Sequence, residues 1–475
     1  MINNEKKVGL FGLIALTVSS VIGGGIFNLM SDMAKSASVG PSIIALIISG
    51  LGMGIFVFCL QNLNEKLPHL DAGIYSYAEE GMGSFAGFNS ALGYWLSIFL
   101  GNVALGSLAF SALGYFFPIF EDGSNIYSVI GASILIWVMH FTILKGASFA
   151  SKINGIITIA KLLPLGIFIT ALIVAFDINL FTLDFWGTIN QNFNWSEVKP
   201  QVSKAMVSVV WVFVGVEGAI VYSGRANSKK IVGKANILSF MIITSIYLLV
   251  IVLSFAVLSR PDLATLDKPA MAQVLESVVG KWGSILINAS VVISAIGAWF
   301  ACTMFSGEIL YQAAKNNVFP NLFLKENIYK APSTALLVSN GLVQFFFLSL
   351  LINKSAYNFM ALLASSTMLV PYFFVSFSQM KLSWNWAGNK ISKNVILGLI
   401  SSIYMAYCVF SSGYEYILVT TLLFAPGMVL YIWARKQNNK RVFSKLEMIG
   451  AFLIIIGALL SLFWIMNGTI DIANM

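Results

Sequence analysis

Charged and polar side chains are scarce in this chain of 475 residues. Only 10 % of the residues are charged, two are histidine and three are cysteine, whereas 58 % are hydrophobic. Because a soluble domain carries about 25 % charged residues, so few charges could not cover a water-soluble protein of this size. The three cysteines, all in apolar segments, lack the spacing of a metal site or a disulfide framework. The composition excludes an ordinary soluble enzyme, a disordered protein and a nucleic-acid-binding protein, and we predict no cofactor and no metal.

Long apolar runs account for most of the sequence. A helix needs about 20 mostly apolar residues to cross a bilayer. Thirteen stretches meet this requirement and predict an all-α polytopic membrane protein. They lie near 10–34, 41–61, 86–116, 125–144, 154–176, 203–223, 234–258, 283–313, 334–352, 357–379, 394–412, 414–434 and 447–467. Since no segment between them is long enough for a separate domain, the predicted spans must carry the function.

The basic residues predict an orientation. If the N-terminus is cytoplasmic, 20 of the 28 Lys and Arg residues fall in cytoplasmic segments, 7 fall on the other side and Lys161 lies within a span. Short cytoplasmic loops of membrane proteins carry such an excess of positive charge. We therefore predict a multi-pass protein of the cell (inner) membrane with a cytoplasmic N-terminus and an external C-terminus.

Two predicted spans contain features that a lipid-facing helix would lack. Span 1 includes Gly23, Gly24 and Gly25, and each glycine weakens a helix by about 1 kcal/mol. Span 6 places Glu217 between Gly215 and Gly218, at a depth where a charged group is costly and usually functional. Both patterns favour broken helices, whose free backbone groups form transporter sites at the bilayer midplane. The alternatives are close helix packing at the glycines and a structural partner for the carboxylate.

Five further residues within spans have open interpretations. Lys161 either snorkels to the cytoplasmic surface or is a buried cation that exchanges a proton or replaces a sodium ion. Glu308 is predicted to pair with a nearby Lys or Arg. Trp211 and Trp299 either pack in the core or bind a cation with their ring faces, and Asn102 hydrogen-bonds either a substrate or a neighbouring helix.

Several segments together resemble the amino acid–polyamine–organocation transporters. They are GGGIF in span 1, WVFVGVEGAIVYSGRA in span 6 and GAWF with SGEILYQAAKNNVFP in span 8. The resemblance extends from about residue 8 to 435 and is greatest to the basic amino acid/polyamine antiporter branch, which includes arginine–ornithine antiporters. It implies two inverted five-helix repeats, spans 1–5 and 6–10, with broken helices 1 and 6 and peripheral C-terminal helices.

The resemblance also implies a division of the chain. The transporter core and peripheral helices occupy 1–435, with repeat 1 at about 8–176, repeat 2 at about 203–379 and spans 11–12 at about 394–434. Residues 436–475 form a basic loop and a thirteenth span, which departs from the usual twelve but fits the arginine–ornithine branch.

A substrate site follows from the same resemblance. The three glycines match the unwound segment that holds the α-carboxylate, Trp211 and Glu217 match gating residues, and Trp299 matches an aromatic that stacks on the substrate. The full implied set for binding is Gly23, Gly24, Gly25, Ser97, Ile98, Asn102, Trp211, Val214, Trp299, Ser365 and Ser366, with Tyr94, Glu217 and Lys161 in gating or coupling. Gly24 departs from the serine of an arginine–agmatine relative. Lys161 resembles the lysine that replaces a sodium ion in proton-coupled relatives.

The leading functional hypothesis is exchange of arginine for ornithine by alternating access. Alternatives are another exchange (histidine/histamine, lysine/cadaverine or agmatine/putrescine), proton-coupled amino acid uptake, and a sensor that binds solute without moving it. The expected partners are amino acids, amines and the lipid bilayer, with a possible homodimer and no nucleic acid.

Overall fold

The computed structural model describes residues 7–351 and 356–470, and these ranges are almost entirely helical. The first ten helices are α1 (Leu10–Val21), α2 (Leu29–Ser36), α3 (Val39–Lys66), α4 (Gly73–Met82), α5 (Ser84–Gly114), α6 (Ile126–Ile143), α7 (Ala147–Val174), α8 (Ile178–Leu183), α9 (Trp195–Val212) and α10 (Gly218–Val221). Within the described ranges the extended backbone is limited to an isolated bridge between Val8 and Ala226.

Nine more helices complete the described chain. They are α11 (Lys229–Phe255), α12 (Arg260–Thr265), α13 (Ala270–Val279), α14 (Lys281–Lys315), α15 (Ser333–Phe347), α16 (Ala356–Trp386), α17 (Lys393–Ser411), α18 (Tyr414–Gln437) and α19 (Lys445–Met466). Short 3₁₀ turns lie at Gly25–Phe27, Pro118–Phe120, Ser223–Arg225, Asn321–Leu324 and Leu348–Leu351.

The protein is a polytopic membrane protein. Among the described residues, ten helices are long and apolar enough to cross a bilayer: α3, α5, α6, α7, α11, α14, α15 with its 3₁₀ extension, α17, α18 and α19. The three other predicted spans coincide with the pair α1 and α2, the pair α9 and α10, and α16. The count of thirteen spans and their division into inverted repeats remain predictions.

The first and sixth predicted spans are interrupted where the glycines lie. In the first, α1 ends at Val21 and α2 begins at Leu29. In the sixth, α9 ends at Val212 and α10 begins at Gly218. Gly215, between them, has φ of +105°, a backbone conformation that side chains with a Cβ rarely adopt. The two breaks that the sequence predicts are therefore present.

The long helices α5, α14 and α16 form the centre of the molecule, with α5 packed against both of the others. The helix α1 packs against α7, α11 and α14, which brings the first break to this centre. At the periphery, α19 packs against α18 and leaves apolar side chains such as Leu453 and Phe463 exposed. Exposed apolar side chains on a long apolar helix are typical of a surface that faces lipid.

Candidate functional site

The carbonyl groups at the end of α1 are bound by two polar side chains from other helices. The Lys161 ammonium donates hydrogen bonds to Ser19 O at 2.7 Å and Ile22 O at 2.6 Å. The Ser294 hydroxyl donates to Ile22 O and Gly23 O. A cation at a helix C-terminus is favourable because the last carbonyls carry partial negative charge. Lys161 is fully buried, so it does not snorkel, and it stabilises the break in α1.

Gly24 permits the close approach of α5 to the first break. A Cβ atom at Gly24 would overlap the Leu108 side chain of α5, and a Cβ at Gly23 would lie 3.3 Å from Ala298. The glycines thus have a packing role as well as a conformational one. Because they add no side chains, their backbone remains accessible to a molecule in the cavity beside them.

The second break is held by a tyrosine from α16. The Gly215 amide donates a hydrogen bond to the Tyr372 hydroxyl at 3.0 Å, and that hydroxyl donates to Glu217 Oε2. Tyr94 of α5 interacts with the same carboxylate. Glu217 is completely buried, and its second oxygen, Oε1, accepts no hydrogen bond from the described residues. The arrangement leaves one carboxylate oxygen free to bind a donor in the cavity.

Tyr247 of α11 connects the two breaks. Its hydroxyl lies 2.8 Å from Val212 O, at the end of α9, and 3.3 Å from Val21 O, at the end of α1. The side chain is buried and packs edge-on against Phe213. Tyr247 therefore fixes the position of one helix end relative to the other.

We expect Tyr247→Phe to lower the affinity for a transported amino acid by about tenfold. The substitution keeps the ring but removes the single O–H donor that two buried carbonyls share, a loss worth about 1 kcal/mol or more. Binding to the purified protein, measured with a radiolabelled amino acid, tests this expectation. Tyr404→Phe is the matched control, since that buried hydroxyl contacts Ser49 O, at 3.5 Å, and Cys408, and lies outside the cavity. Equal effects of the two variants would contradict the bridging role.

A cavity of 270 Å³ lies between the two breaks and the central helices. Glu217 is the one charged side chain among the described residues that line it. The volume is near the lower end of the range for small-molecule sites, about 300–1,000 Å³, as suits a single amino acid. From the predicted set, the lining includes Gly23, Gly24, Gly25, Tyr94, Ser97, Ile98, Val214, Glu217 and Ser365.

Four predicted residues lie outside this lining. The Asn102 amide donates to Thr303 Oγ1 at 3.3 Å. The Trp299 ring is buried edge-on against Phe347, and its Nε1 has no partner among the described residues. Ser366 lines a different cavity, and Lys161 lies behind the first break. Trp211 is on α9, but its side chain lies outside the part of the structure that is described.

The sequence did not single out several residues of the site. Tyr247, Tyr372 and Ser294 hold the breaks, and Leu108 and Cys302 line the cavity. A tyrosine or serine within an apolar span signals a need for a hydrogen-bond partner. The partners of Ser294 and Tyr372 lie more than a hundred positions away in the chain. The sequence therefore does not indicate which carbonyl or carboxylate each side chain would bind.

A larger vestibule of 570 Å³ adjoins the cavity. It shares Gly24 and Leu108 with the cavity, so the Leu108 side chain lies at the boundary between the two spaces. Its walls include Asp122, Lys268 and Glu276, in segments predicted to be external. The cavity thus lies next to a space on the side of the protein opposite the basic loops.

Three ion pairs connect segments of the chain on the side of the basic loops. Arg225 Nε lies 2.9 Å from Glu308, and Arg225 Nη2 lies 3.1 Å from Glu326. Lys229 pairs with Asp71 at 2.6 Å. The predicted pairing of Glu308 is therefore confirmed. The contacts of Arg225 join the segment after α10 to α14 and to the loop that precedes α15.

Comparisons with known proteins identify the family. A family model for amino acid permeases matches residues 8–412. The chain is 40 % identical over 469 residues to an arginine/ornithine antiporter of Latilactobacillus sakei, covering 98 % of each chain. It is 38 % identical to an arginine/ornithine antiporter of Pseudomonas aeruginosa, with 98 % of each chain covered, and 38 % identical to an arginine/agmatine antiporter of Chlamydia abortus, with 96 % of each covered. With its apolar helices and interrupted spans, this chain belongs to the amino acid permease family.

Proposed function

We propose that this protein is an antiporter that exchanges arginine for ornithine across the cell membrane by alternating access. The observation that carries the proposal is the buried Glu217 carboxylate, which faces a cavity between two broken helices. The names of the full-length relatives support the same substrate pair. Amino acid transport is the activity of the family, and the proposal adds that the two exchanged amino acids are arginine and ornithine.

The charge of the cavity favours amino acids with one net positive charge. Among the lining residues that the structure describes there is one carboxylate and no lysine or arginine. Arginine and ornithine each carry one excess positive charge, so either would be balanced by Glu217. Agmatine and putrescine carry two positive charges, which a single carboxylate balances only in part, and unpaired buried charge is costly. The exchange of two molecules with equal charge is electroneutral and is driven by their concentration gradients.

Each part of the substrate has a chemically suitable partner. The backbone at Gly23, Gly24 and Gly25 would bind the α-carboxylate, because a helix begins just beyond it and helix N-termini attract anions. Glu217 Oε1 would accept a hydrogen bond from a cationic group. Ser97 and Ser365 would supply hydroxyl groups along the rest of the cavity. Trp211 remains a proposed gate on the basis of the family resemblance.

Obligatory exchange requires that the empty carrier reorient slowly. Without a substrate, Glu217 is a buried carboxylate with no cation in the described part of the cavity lining. Moving an uncompensated buried charge through a closed intermediate costs several kcal/mol. A bound cation removes this cost, and either arginine or ornithine can do so. The same residue therefore accounts for recognition and for coupling of the two half-reactions.

We also propose that the structure corresponds to the outward-facing state. The vestibule lies on the side of segments predicted to be external, and the ion pairs of Arg225 and Lys229 close the other side. This assignment depends on the proposed orientation, in which the N-terminus is cytoplasmic and the C-terminus external. In the inward-facing state the vestibule would close and the ion pairs would separate.

Counterflow in proteoliposomes tests the proposed exchange. Vesicles that contain the full-length protein would be loaded with unlabelled ornithine, and labelled arginine would be added outside. We expect arginine to enter only when ornithine is inside, with equal amounts of the two amino acids crossing. Vesicles loaded with histamine, cadaverine or putrescine are the matched controls.

Two results would overturn the proposal. If another amine drives uptake of its parent amino acid and ornithine does not drive arginine uptake, the substrate pair is wrong. If arginine accumulates in empty vesicles under a proton gradient, the protein is a proton-coupled transporter and not an obligatory exchanger.

Proton-coupled uptake is the second candidate because Lys161 is a buried cation that contacts the first break. We expect Lys161→Ala to slow exchange by about tenfold or more at every pH, since Ser19 O loses its side-chain donor and Ile22 O keeps only that of Ser294. Labelled arginine uptake, with and without an imposed pH gradient, measures the effect. Lys152→Ala, at an exposed position on the same helix, is the control. A Lys161→Ala protein that binds arginine normally but loses a pH dependence present in the parent would instead identify Lys161 as a proton site.

A further inference from the structure

A third cavity lies away from the proposed transport site. It has a volume of 500 Å³ and lies between the start of α5 and the helices α16, α17, α18 and α19. Its walls are mainly apolar and include Phe85, Phe374, Phe377, Phe424 and Ile454. We call this cavity the peripheral groove. The thirteenth predicted span, α19, forms one of its walls, so the groove exists because this helix is present.

The peripheral groove is long and is bordered by exposed apolar surface. On α16 its lining extends from Ser366 to Lys381, which corresponds to about 22 Å of helix at 1.5 Å per residue. This length exceeds half of the hydrocarbon thickness of about 30 Å. Leu446 of α19 is a lining residue that is 81 % exposed. A narrow apolar space of this length beside a lipid-facing helix fits an acyl chain better than a compact polar solute.

The basic end of the groove carries an excess of positive charge. Residues 381–393 contain three cations and no carboxylate, and residues 435–447 contain five cations and one carboxylate, Glu447. That carboxylate binds the backbone amides of Ser444 and Phe85. Lys381 lines the groove, is exposed and has no ion pair among the described residues. Clusters of four to eight basic residues beside a span attract anionic lipid headgroups, at about 1 kcal/mol for each Lys or Arg.

An unpartnered polar group belongs to a residue that lines the same space. Asn89 of α5 lines the groove and is 3 % exposed. Its amide nitrogen donates to Phe85 O, but its Oδ1 accepts no hydrogen bond from the described residues. An unsatisfied buried acceptor is costly, so a donor in the groove would stabilise this region. A hydroxyl group of a lipid headgroup would supply such a donor.

We propose that the peripheral groove binds one anionic glycerophospholipid from the leaflet on the basic side. One acyl chain lies along α16 between Phe374 and Ile454, and the phosphate group lies beside Lys381. A headgroup hydroxyl donates to Asn89 Oδ1. This site is separate from the proposed transport cavity and does not depend on which amino acids are exchanged.

Native mass spectrometry of the full-length protein tests the site, with phosphatidylglycerol and phosphatidylcholine as probes. We expect one phosphatidylglycerol to be retained, with about a fivefold preference or more over phosphatidylcholine. Gly450→Leu should abolish this retention because Gly450 lines the groove and a larger side chain there would fill it. A Cβ at Gly450 would lie 3.4 Å from Phe85, an ordinary contact, so the helix itself is expected to accept the substitution.

The control for the filled groove is Gly166→Leu on α7. Gly166 is exposed and a Cβ there meets no atom within 4 Å, so the same substitution is made on a helix surface without a groove.

A charge variant gives an independent test. Lys381→Gln should lower the preference for phosphatidylglycerol about fivefold, whereas Lys152→Gln on α7 should leave it unchanged.

Three outcomes would overturn the proposal. One is equal retention of the two lipids by the parent protein. Another is equal retention of phosphatidylglycerol by the Gly450→Leu and Gly166→Leu proteins. The third is a Gly450→Leu protein that changes from dimer to monomer and keeps its lipid, since the groove would then be an interface between two copies. Lipid retention is measured without transport, so these results are distinguishable from failure of the proposed exchange.

Discussion

Replacing Glu217 with glutamine is expected to weaken arginine binding by about two orders of magnitude and to abolish exchange. The amide is close in size to the carboxylate and retains an acceptor for the Tyr372 hydroxyl, so the break around Gly215 should persist. The cavity, however, loses the one charged group that its described lining contains. Removal of one partner of a buried charge pair costs about 3–5 kcal/mol, and each 1.4 kcal/mol corresponds to a factor of ten in affinity.

Glu79→Gln is the matched control for this experiment. Glu79 lies on α4, is half-buried and accepts a hydrogen bond from Ser84, but it does not line the cavity. We expect it to bind arginine as the parent protein does, in the same radioligand assay. Retention of parental affinity and exchange by the Glu217→Gln protein would show that the buried carboxylate does not recognise the substrate.

Arg225→Met is expected to open the closed, basic side of the protein. Its loss leaves Glu308 buried, with an exposed fraction of only 1 % for its side chain, and without its cation. An unpaired buried carboxylate favours states in which water reaches it. Leaving Glu308 buried without its cation costs about 3–5 kcal/mol, which is enough to shift a two-state equilibrium by about two orders of magnitude. The native Cys302, which lines the cavity, reports the change.

Labelling with a membrane-impermeant thiol reagent, applied from the basic side in oriented vesicles, measures this opening. We expect Cys302 in the Arg225→Met protein to react about tenfold faster or more than in the parent, and a Cys302→Ser background to eliminate the signal. Arg225→Met combined with Glu308→Gln should restore part of the closure, because no unpaired charge remains. Arg260→Gln is the control: Arg260 lies 3.7 Å from Asp184 in a partly exposed pair of small energetic value. Equal labelling in all variants would contradict a closing role for Arg225.

The two helix breaks were predictable because their causes are local. Three adjacent glycines lower helix propensity wherever they occur, and Gly215 beside Glu217 combines a flexible backbone with a charge that is costly in a bilayer. The structure places breaks at both positions. The ends of several spans were also predicted to within a few residues, since apolar length is a property of the sequence.

The contacts that hold the breaks were not predictable in the same way. Lys161 had two open interpretations in the sequence, and only the packing of α7 against α1 distinguishes between them by placing its ammonium on two α1 carbonyls. Tyr247 and Tyr372 likewise acquire their roles from helices that are distant in the chain. A one-dimensional pattern identifies a polar group at depth, but it does not specify its partner.

The resemblance to the family predicts that Asn102 and Trp299 line the substrate cavity, but the structure places both side chains elsewhere. Both are on helices that line the cavity, yet their side chains lie outside its lining and contact Thr303 and Phe347. Their rotation about the helix axis and the packing of neighbouring side chains decide this placement.

By itself, the sequence determined that this is an all-helical membrane protein with interruptions in its first and sixth spans, because hydropathy and glycine content act over short stretches of chain. The tertiary structure decided which groups face the cavity between the interruptions. It also decided that Lys161 and Tyr247 bind helix ends, that Arg225 pairs with Glu308 and that α19 forms a wall of a groove. These features depend on directed contacts between helices that are far apart in the chain, and hydrogen bonds and ion pairs act only over a few ångströms.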